Sequence, residues 1–301
     1  MAKAKAQLGS RITIDSILYL TDFSEPSEAA LPYAASIARE YGSKIYALHV
    51  LIPAAYTYTT PDLTVAGIAA QEEAAQVELQ RIQSQLSGIP NECMIERGTG
   101  IWASLEAAIK EYAIDLIVLG THGRTGAQKL LLGSVAEEVF RRSRVPVLTI
   151  GPSAHGGPHK SGKFRRVLFP TDFTKESLAA APYAISMAQE NQANLVLLNV
   201  MKEAETQLTG RAMQDAVSNA TSQLYEVVPA SAELWCKPEA VVQTGNPAEK
   251  ILFIAKERGA DLIVMGLRDP HGHFGAATHL ERTTAHKVVA HATCPVLTVR
   301  G

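Results

Sequence analysis

Short apolar runs alternate with helix-length amphipathic segments along the chain. In the first half this pattern predicts strands near 14–20, 44–51, 92–97, 115–120 and 146–150. It predicts helices near 25–42, 68–87, 102–113 and 134–143. The runs at 116–119 and 262–265 are apolar throughout, as strands buried on both faces must be. Segment 71–87 carries an apolar stripe and a polar outer face, which suits a helix packed on a core better than one lying on a membrane. Alternation of this kind predicts an α/β fold, a parallel sheet covered by helices on both faces. In such a fold ligands bind beyond the carboxyl ends of the strands, where strand order reverses. Asp22, after the first strand, and Gly120, after the fourth, would both lie at that edge.

The pattern is written twice. Residues 17–36, ILYLTDFSEPSEAALPYAAS, match residues 167–186, VLFPTDFTKESLAAAPYAIS, at 11 of 20 positions without a gap. Tyr46–Val50 matches Val196–Val200, Asp115–Gly120 matches Asp261–Gly266, and Val145–Ile150 matches Cys294–Val299. A period near 150 residues is far too long for a solenoid unit and indicates tandem domain duplication. A chain of 301 residues suits two domains, each able to bury its own core. The boundaries read from the sequence are 1–150 and 164–301, joined by 151–163, GPSAHGGPHKSGK, whose Gly, Pro and Ser suit a linker.

Composition narrows the class. Hydrophobic residues make up 47% and charged residues 19%, an ordinary globular balance. A net charge of −2 argues against binding nucleic acid by charge alone, and no apolar run approaches the length of a membrane span. The N-terminus, MAKAKAQLGSR, is basic but has no apolar region of the secretory kind. Cys93, Cys236 and Cys294 form no CxxC pair and no even framework. The expectation is a reduced, cytoplasmic protein without nucleic-acid or membrane partners.

Candidate chemistry concentrates in residues 120–134, GTHGRTGAQKLLLGS, between a buried strand and a helix. Glycines at a strand end let the backbone turn sharply and approach a ligand. The helix N-terminus that follows offers free N–H groups and a positive dipole end, a site for an anion such as phosphate. Ser134 would cap the helix or hydrogen-bond a phosphate oxygen, and Arg124 and Lys129 would add charge-assisted contacts. The same run also reads as a plain loop whose glycines only permit turning. Asp22 likewise has two readings: a ligand group, or the start of a helix capped by Ser24. No GxxxxGK[ST] motif occurs. Gly98-Thr99-Gly100-Ile101-Trp102-Ala103 matches GxGxxA only weakly and reads better as a tight strand–helix turn.

The spacing Gly120-x2-Gly123-x9-Gly133-Ser134 and the repeated Thr-Asp-Phe turns resemble two tandem domains of the universal stress protein family. The resemblance implies a five-stranded parallel sheet in each domain, with helices on both faces and ATP held at the strand carboxyl ends. Carried over by position, Asp22 would bond the ribose and the Val50 backbone would meet the adenine. Gly120, Gly123, Gly133 and Ser134 would hold the phosphates, with Arg124 and the Val135 backbone beside them. Mg²⁺ would accompany the nucleotide, bridging its phosphates. Leu20 stands where the family often has proline, at a position that acts through its backbone. Family dimers often pair their last strands antiparallel, so 145–150 and 294–299 could pair within one chain and cover two exposed edges. A further homodimer would be an extension of that pseudo-dimer.

The second half keeps Asp172 and Gly266 but then reads Leu267-Arg268-Asp269-Pro270. Asp269 stands where the second glycine is expected and would repel phosphate, and Pro270 removes a backbone donor. Arg282-Thr283 falls opposite Gly133-Ser134, so the second domain is not expected to bind ATP. Five of the nine histidines, His271, His273, His279, His286 and His291, lie in the last 31 residues and read as a solvated His-rich segment better than as a zinc site. Trp102 and Trp235 read as packing residues. The functional expectation is a nucleotide-binding regulatory, stress-response protein with at most slow ATP hydrolysis, since no residue is evidently placed to orient an attacking water. The alternative is a non-catalytic interaction protein of the same fold. An adenylating enzyme ranks lower, for want of a second substrate motif.

Overall fold

The apolar runs fold as strands in a computed structural model that describes residues 12–52, 61–98, 100–121, 132–154, 163–201, 210–230, 232, 237–268 and 283–301. Of these, 61–66 and 153 are described by backbone alone. The first half holds β1 (Ser16–Leu20), β2 (Lys44–Leu51), β3 (Asn91–Arg97), β4 (Leu116–Gly120) and β5 (Val147–Ile150). The second holds β6 (Arg166–Pro170), β7 (Asn194–Met201), β8 (Glu239–Thr244), β9 (Leu262–Leu267) and β10 (Val296–Arg300). They form one ten-stranded sheet in the order β3-β2-β1-β4-β5-β10-β9-β6-β7-β8. Each half is parallel throughout, and strand order reverses beside β1 and β6.

The helices are α1 (Glu25–Glu28), α2 (Leu31–Tyr41), α3 (Pro61–Gln85), α4 (Ile101–Glu111), α5 (Ser134–Arg142), α6 (Lys175–Leu178), α7 (Ala181–Asn191), α8 (Arg211–Val227), α9 (Pro247–Glu257) and α10 (Thr284–His291). The single helix expected at 25–42 is two. Pro32 sits in the first turn of α2, where the helix needs no N–H from it, and α1 stops short of it. The helix expected from 68 begins at Pro61. On α3, Ala75, Leu79 and Ile82 are buried, as is Leu86 just past its end, the stripe that the sequence pattern described.

The two halves join at a seam. β5 and β10 pair antiparallel, with Leu297 opposite Leu148, Val296 opposite Thr149 and Thr298 opposite Val147. The last strands correspond at an offset of 149 residues (Pro146 with Pro295), so Leu148 and Leu297 are each other's counterparts and mark a pseudo-twofold axis. Thr149 Oγ1 donates to the Val296 carbonyl at 3.1 Å, and Thr298 Oγ1 returns the bond to Val147 at 3.2 Å. This is the intramolecular strand pairing that the family resemblance implied for 145–150 and 294–299.

Hydrophobic layers run unbroken across the seam on both faces of the sheet. One collects Tyr19, Ile37, Leu148, Phe169, Leu195 and Leu297. The other collects Leu18, Leu105, Phe140, Val147, Ile254 and Val296. Phe164, 1% exposed, stacks on Tyr33 of the other half with ring centroids 6.1 Å apart. The Tyr41 and Ser186 hydroxyls meet at 2.9 Å, and Lys163 lies 3.6 Å from Glu40. The outer strands β3 and β8 carry Glu92, Glu96, Arg97 and Glu239, charges that discourage further edge pairing.

Pro152–Ala154, at the start of the Gly/Pro/Ser segment, form a turn of 3-10 helix with Ala154 buried. Burial, with Asp261 adding to it, pushes the Cys294 thiol up to about 12, and burial also raises Cys93, as befits structural cysteines. Cys236 and Trp235 lie outside the described residues. Among the described residues no helix is long and apolar enough to cross a membrane.

Because Phe164 packs one half on the other, Phe164→Ala should lower the unfolding free energy by about 3–5 kcal/mol in denaturant titration. A loss under about 1 kcal/mol would remove that joining role.

Candidate functional site

The first strand ends in a turn fixed by its own side chains. Thr21 N–H donates to the Leu48 carbonyl on β2, which holds the strand ends level. Phe23 follows at φ 62, a left-handed conformation that costs a bulky residue of order 1–3 kcal/mol. Thr21 Oγ1 accepts the Phe23 N–H at 3.0 Å and so braces that conformation. Asp22 Oδ1 accepts from the Ser24 N–H at 3.1 Å and from its hydroxyl at 2.5 Å. Ser24 in turn caps α1, accepting the Ser27 N–H. Asp22 therefore serves the helix start through one oxygen, as one of its two sequence readings required. The buried Tyr19 hydroxyl, raised well above its ordinary pKa chiefly by burial, donates to the Ser27 carbonyl at 2.9 Å and ties α1 down.

Asp22 and Val50, 28 residues apart, line one cleft of ≈ 730 Å³ at the carboxyl ends of β1 and β2. That size is within the range of small-molecule sites. Phe23 and His49 line it too, with rings 4.3 Å apart, and His49 Nδ1 lies 2.8 Å from the Thr21 carbonyl. The opposite wall is α3, through Gln71, Ala74, Ala75, Glu78 and Arg81. Arg81 pairs with Glu78 on its own helix at 2.9 Å and with Glu28 on α1, a strut between the helices on two sides of the cleft. Glu28, Glu78, Arg81, Phe23 and His49 were not singled out from the sequence. Phe23 and His49 adjoin Asp22 and Val50 and were accessible to it, whereas Glu28 and Arg81 are 53 residues apart and carried no local signal.

Gly120 ends β4, next to β1 in the sheet. A Cβ there would stand 2.4 Å from the Pro26 carbonyl oxygen, so the glycine lets α1 lie directly on the strand. The chain leaves the described residues after Thr121 and re-enters at Leu132; Gly123, Arg124 and Lys129 fall between. Gly133 N–H donates to the Thr121 carbonyl at 2.7 Å, which fixes the start of α5 beside the end of β4. Gly133 is the N-cap, extended at φ −61 and ψ 150, and no side chain caps the helix. Ser134, expected as a possible cap, is the first helical residue, exposed and followed by Val135. A glycine cap supplies no side-chain acceptor to the first-turn N–H groups of α5. Gly100 likewise caps α4 after β3, the tight strand–helix turn expected there.

The second half repeats the frame and alters the site. Phe173 has φ 60, Thr174 caps α6, and Asp172 Oδ1 accepts from the Thr174 N–H and hydroxyl. Asn199 stands in place of His49 and donates to the Thr171 carbonyl at 2.9 Å. A Cβ on Gly266 would stand 2.0 Å from the Glu176 carbonyl oxygen. Asp172 and Gly266 are therefore required by the packing of the short helix, whatever binds there. Burial alone would raise the Asp172 carboxyl, but bonds from Thr174 and Ser177 and the Arg268 guanidinium outweigh it and hold the group below its usual value. Arg268 lies 3.8 Å from Asp172 Oδ2. Thr283 caps α10 by accepting the His286 N–H at 3.2 Å, so here the helix N-terminus is closed by its own side chain. Residues 269–282, with Asp269, Pro270, His271, His273, His279 and Arg282, lie outside the described residues. Among the described residues no group of three or more His, Cys, Asp or Glu is gathered to hold a metal.

Comparison with known proteins gives a consistent result. The model of the Universal stress protein family matches residues 13–151 and again 163–300. Universal stress protein YxiE of Bacillus subtilis (strain 168) is 33% identical over 150 residues, 46% of this chain and 99% of its own length. A universal stress protein of Mycolicibacterium smegmatis is 25% identical over 304 residues, 94% of this chain and 96% of its own. The crystal structure of a universal stress protein from Archaeoglobus fulgidus DSM 4304 shares the fold, with a TM-score of 0.71 at 23% identity, covering 96% of this chain and 99% of that one.

Two outcomes follow from the geometry. Gly120→Ala and Gly266→Ala should each destabilise the chain by about 1–3 kcal/mol in denaturant titration, since an added carbon must displace backbone. Equal stability to wild type would refute the packing role. The lowered Asp172 carboxyl stabilises the fold above its ordinary pKa of 3.8 and loses that contribution as the pH falls through its folded value. Asp172→Asn should thus be less stable than wild type at neutral pH and converge with it in strong acid. Identical acid-denaturation profiles would count against this assignment.

Proposed function

This chain belongs to the universal stress protein family, and from that premise and the cleft of its first half we propose that it binds one ATP, with Mg²⁺, in the N-terminal domain. The observation that carries the reading is the glycine-capped N-terminus of α5, anchored by Gly133 to Thr121 at the end of β4, one strand from the cleft lined by Asp22 and Val50. A helix start of this kind favours a phosphate through its free N–H groups and dipole. In this reading Asp22 takes the ribose and the Val50 backbone the adenine. Gly133, Ser134 and Val135 take the phosphates, with Gly123 and Arg124 contributing from the sequence pattern. Gly120 contributes by keeping α1 on the strand, a role independent of any ligand.

Mg²⁺ fits as a partner of the phosphates rather than of the protein. Among the described residues, Glu28 and Glu78 are the acidic side chains on the cleft wall besides Asp22, and both are paired with Arg81. The same pairing leaves them ill-disposed to orient an attacking water, so the site is suited to holding ATP and at most to slow hydrolysis. The C-terminal domain is read as unable to bind ATP in this manner, because Arg268 faces Asp172 and Thr283 closes its helix. The biological role that fits is nucleotide-dependent regulation in a stress response, by a protein working in the cytoplasm and open to further homodimer formation.

Thermal or denaturant unfolding with and without Mg-ATP tests this. At 100 times its Kd, nucleotide should add about 2.7 kcal/mol to the wild-type chain. Gly123→Val should remove the gain while leaving the nucleotide-free stability near wild type. A wild-type chain that gains nothing at millimolar Mg-ATP would instead favour a protein-interaction role for the same fold. ATP turnover at many molecules per minute would contradict the holding role.

A further inference from the structure

The last residue of β10 reaches across the seam. Arg300, half-buried, donates from Nε to the Ser143 carbonyl at 2.6 Å and from Nη2 to the Phe140 and Arg141 carbonyls at 2.7 Å each. All three carbonyls belong to the C-terminal turn of α5, the helix whose other end carries Gly133 and Ser134. The remaining arm, Nη1, donates to the Arg268 carbonyl at 2.9 Å, just beyond β9. A helix C-terminus presents unpaired carbonyls and a negative dipole end, so a guanidinium satisfies it in both respects. Its planar fork also fixes direction, since three bonds from one rigid group leave the helix end little freedom. The Phe140 ring meets His286 of α10 at 6.3 Å, a second contact of the same turn with the other domain.

The pseudo-twofold axis makes this clamp one-sided. Gly151 occupies the position equivalent to Arg300, and its nearest non-neighbour atom, measured from an added Cβ, is the Ala292 carbonyl oxygen at 3.5 Å. Ala292 is the C-cap of α10, as Ser143 is of α5. Each last strand thus ends against the other domain's last helix, but among the described residues only α5 receives a guanidinium. The clamped helix is the glycine-capped one, and the unclamped helix is the one closed by Thr283. α5 has nine residues and spans about 13 Å, so fixing its last turn fixes where its first-turn N–H groups point.

We propose that Arg300 is a positioning residue for the phosphate end of the nucleotide site, supplied by the second domain to the first. The inference rests on the nucleotide reading above. It gives the domain that does not bind ATP a defined task, to hold α5 of the domain that does.

Titration of the full chain with Mg-ATP by calorimetry tests this, alongside the nucleotide-free melting temperature. Arg300→Ala should weaken binding at least tenfold, and Arg300→Lys, which keeps the charge but not the fork, should recover part of the loss. Unchanged affinity in Arg300→Ala, with or without a lower melting temperature, would overturn the inference and make the clamp purely structural. If Arg300→Ala does not fold, Arg300→Lys decides, and wild-type affinity in that variant overturns the inference. A wild-type chain that binds no nucleotide overturns both this inference and the nucleotide reading, whereas binding that is indifferent to Arg300 overturns this one alone.

Discussion

The antiparallel pairing of β5 with β10 is the constraint on which the rest depends. Each half alone would end in an apolar strand with a row of unpaired N–H and C=O groups, an open edge that invites association. Joined about Leu148 and Leu297, the two edges satisfy one another. The pairing also brings the last turn of α5 near the start of α10, where Phe140 meets His286. Both hydrophobic layers then run through the seam, so the fold is one sheet with a shared core rather than two beads on a string.

Within that frame, what looks functional and what is structural can be separated by comparing the halves. The Thr-Asp-Phe turn, the left-handed Phe23 and Phe173, and the matching glycines Gly120 of β4 and Gly266 of β9 occur twice. Each is accounted for by the short helix that must sit on the strand end. They hold the mouth of the cleft in shape but do not by themselves report a ligand. The halves differ at the helix starts and beside the aspartates. One helix start is capped by glycine and the other by threonine, and one aspartate faces an arginine where its counterpart lines a cleft.

Much of this was legible in the sequence because it is local or repeated. The buried strands announced themselves as unbroken apolar runs, and the repeat showed which edges match, while the family resemblance supplied the idea that they pair. Asp22 and Val50 were brought together only by the family resemblance, and they line one cleft. The break between α1 and α2 was missed although Pro32 was visible, because the apolar spacing continues through it. Gly120 was recognised as a special position, but its neighbour, the Pro26 carbonyl, is 94 residues earlier and belongs to no pattern. The Glu28–Arg81 strut and the Arg300 clamp were illegible for the same reason. Each is a contact of an exposed-looking charge, with a carboxylate in one case and backbone carbonyls in the other, whose partner is set by how the helices pack, and no periodicity encodes it.

The contrast between Gly151 and Arg300 has a genetic side. In a dimer of identical chains every substitution is made in both copies, so an arginine that suits one helix end is imposed on the other as well. Fusing the copies lifts that restriction. Position 151 and position 300 are separate codons, and each can be tuned to the helix it meets. Duplication followed by fusion thus permits a division of labour that symmetry forbids, since a residue supplied by one domain to the other need not be returned.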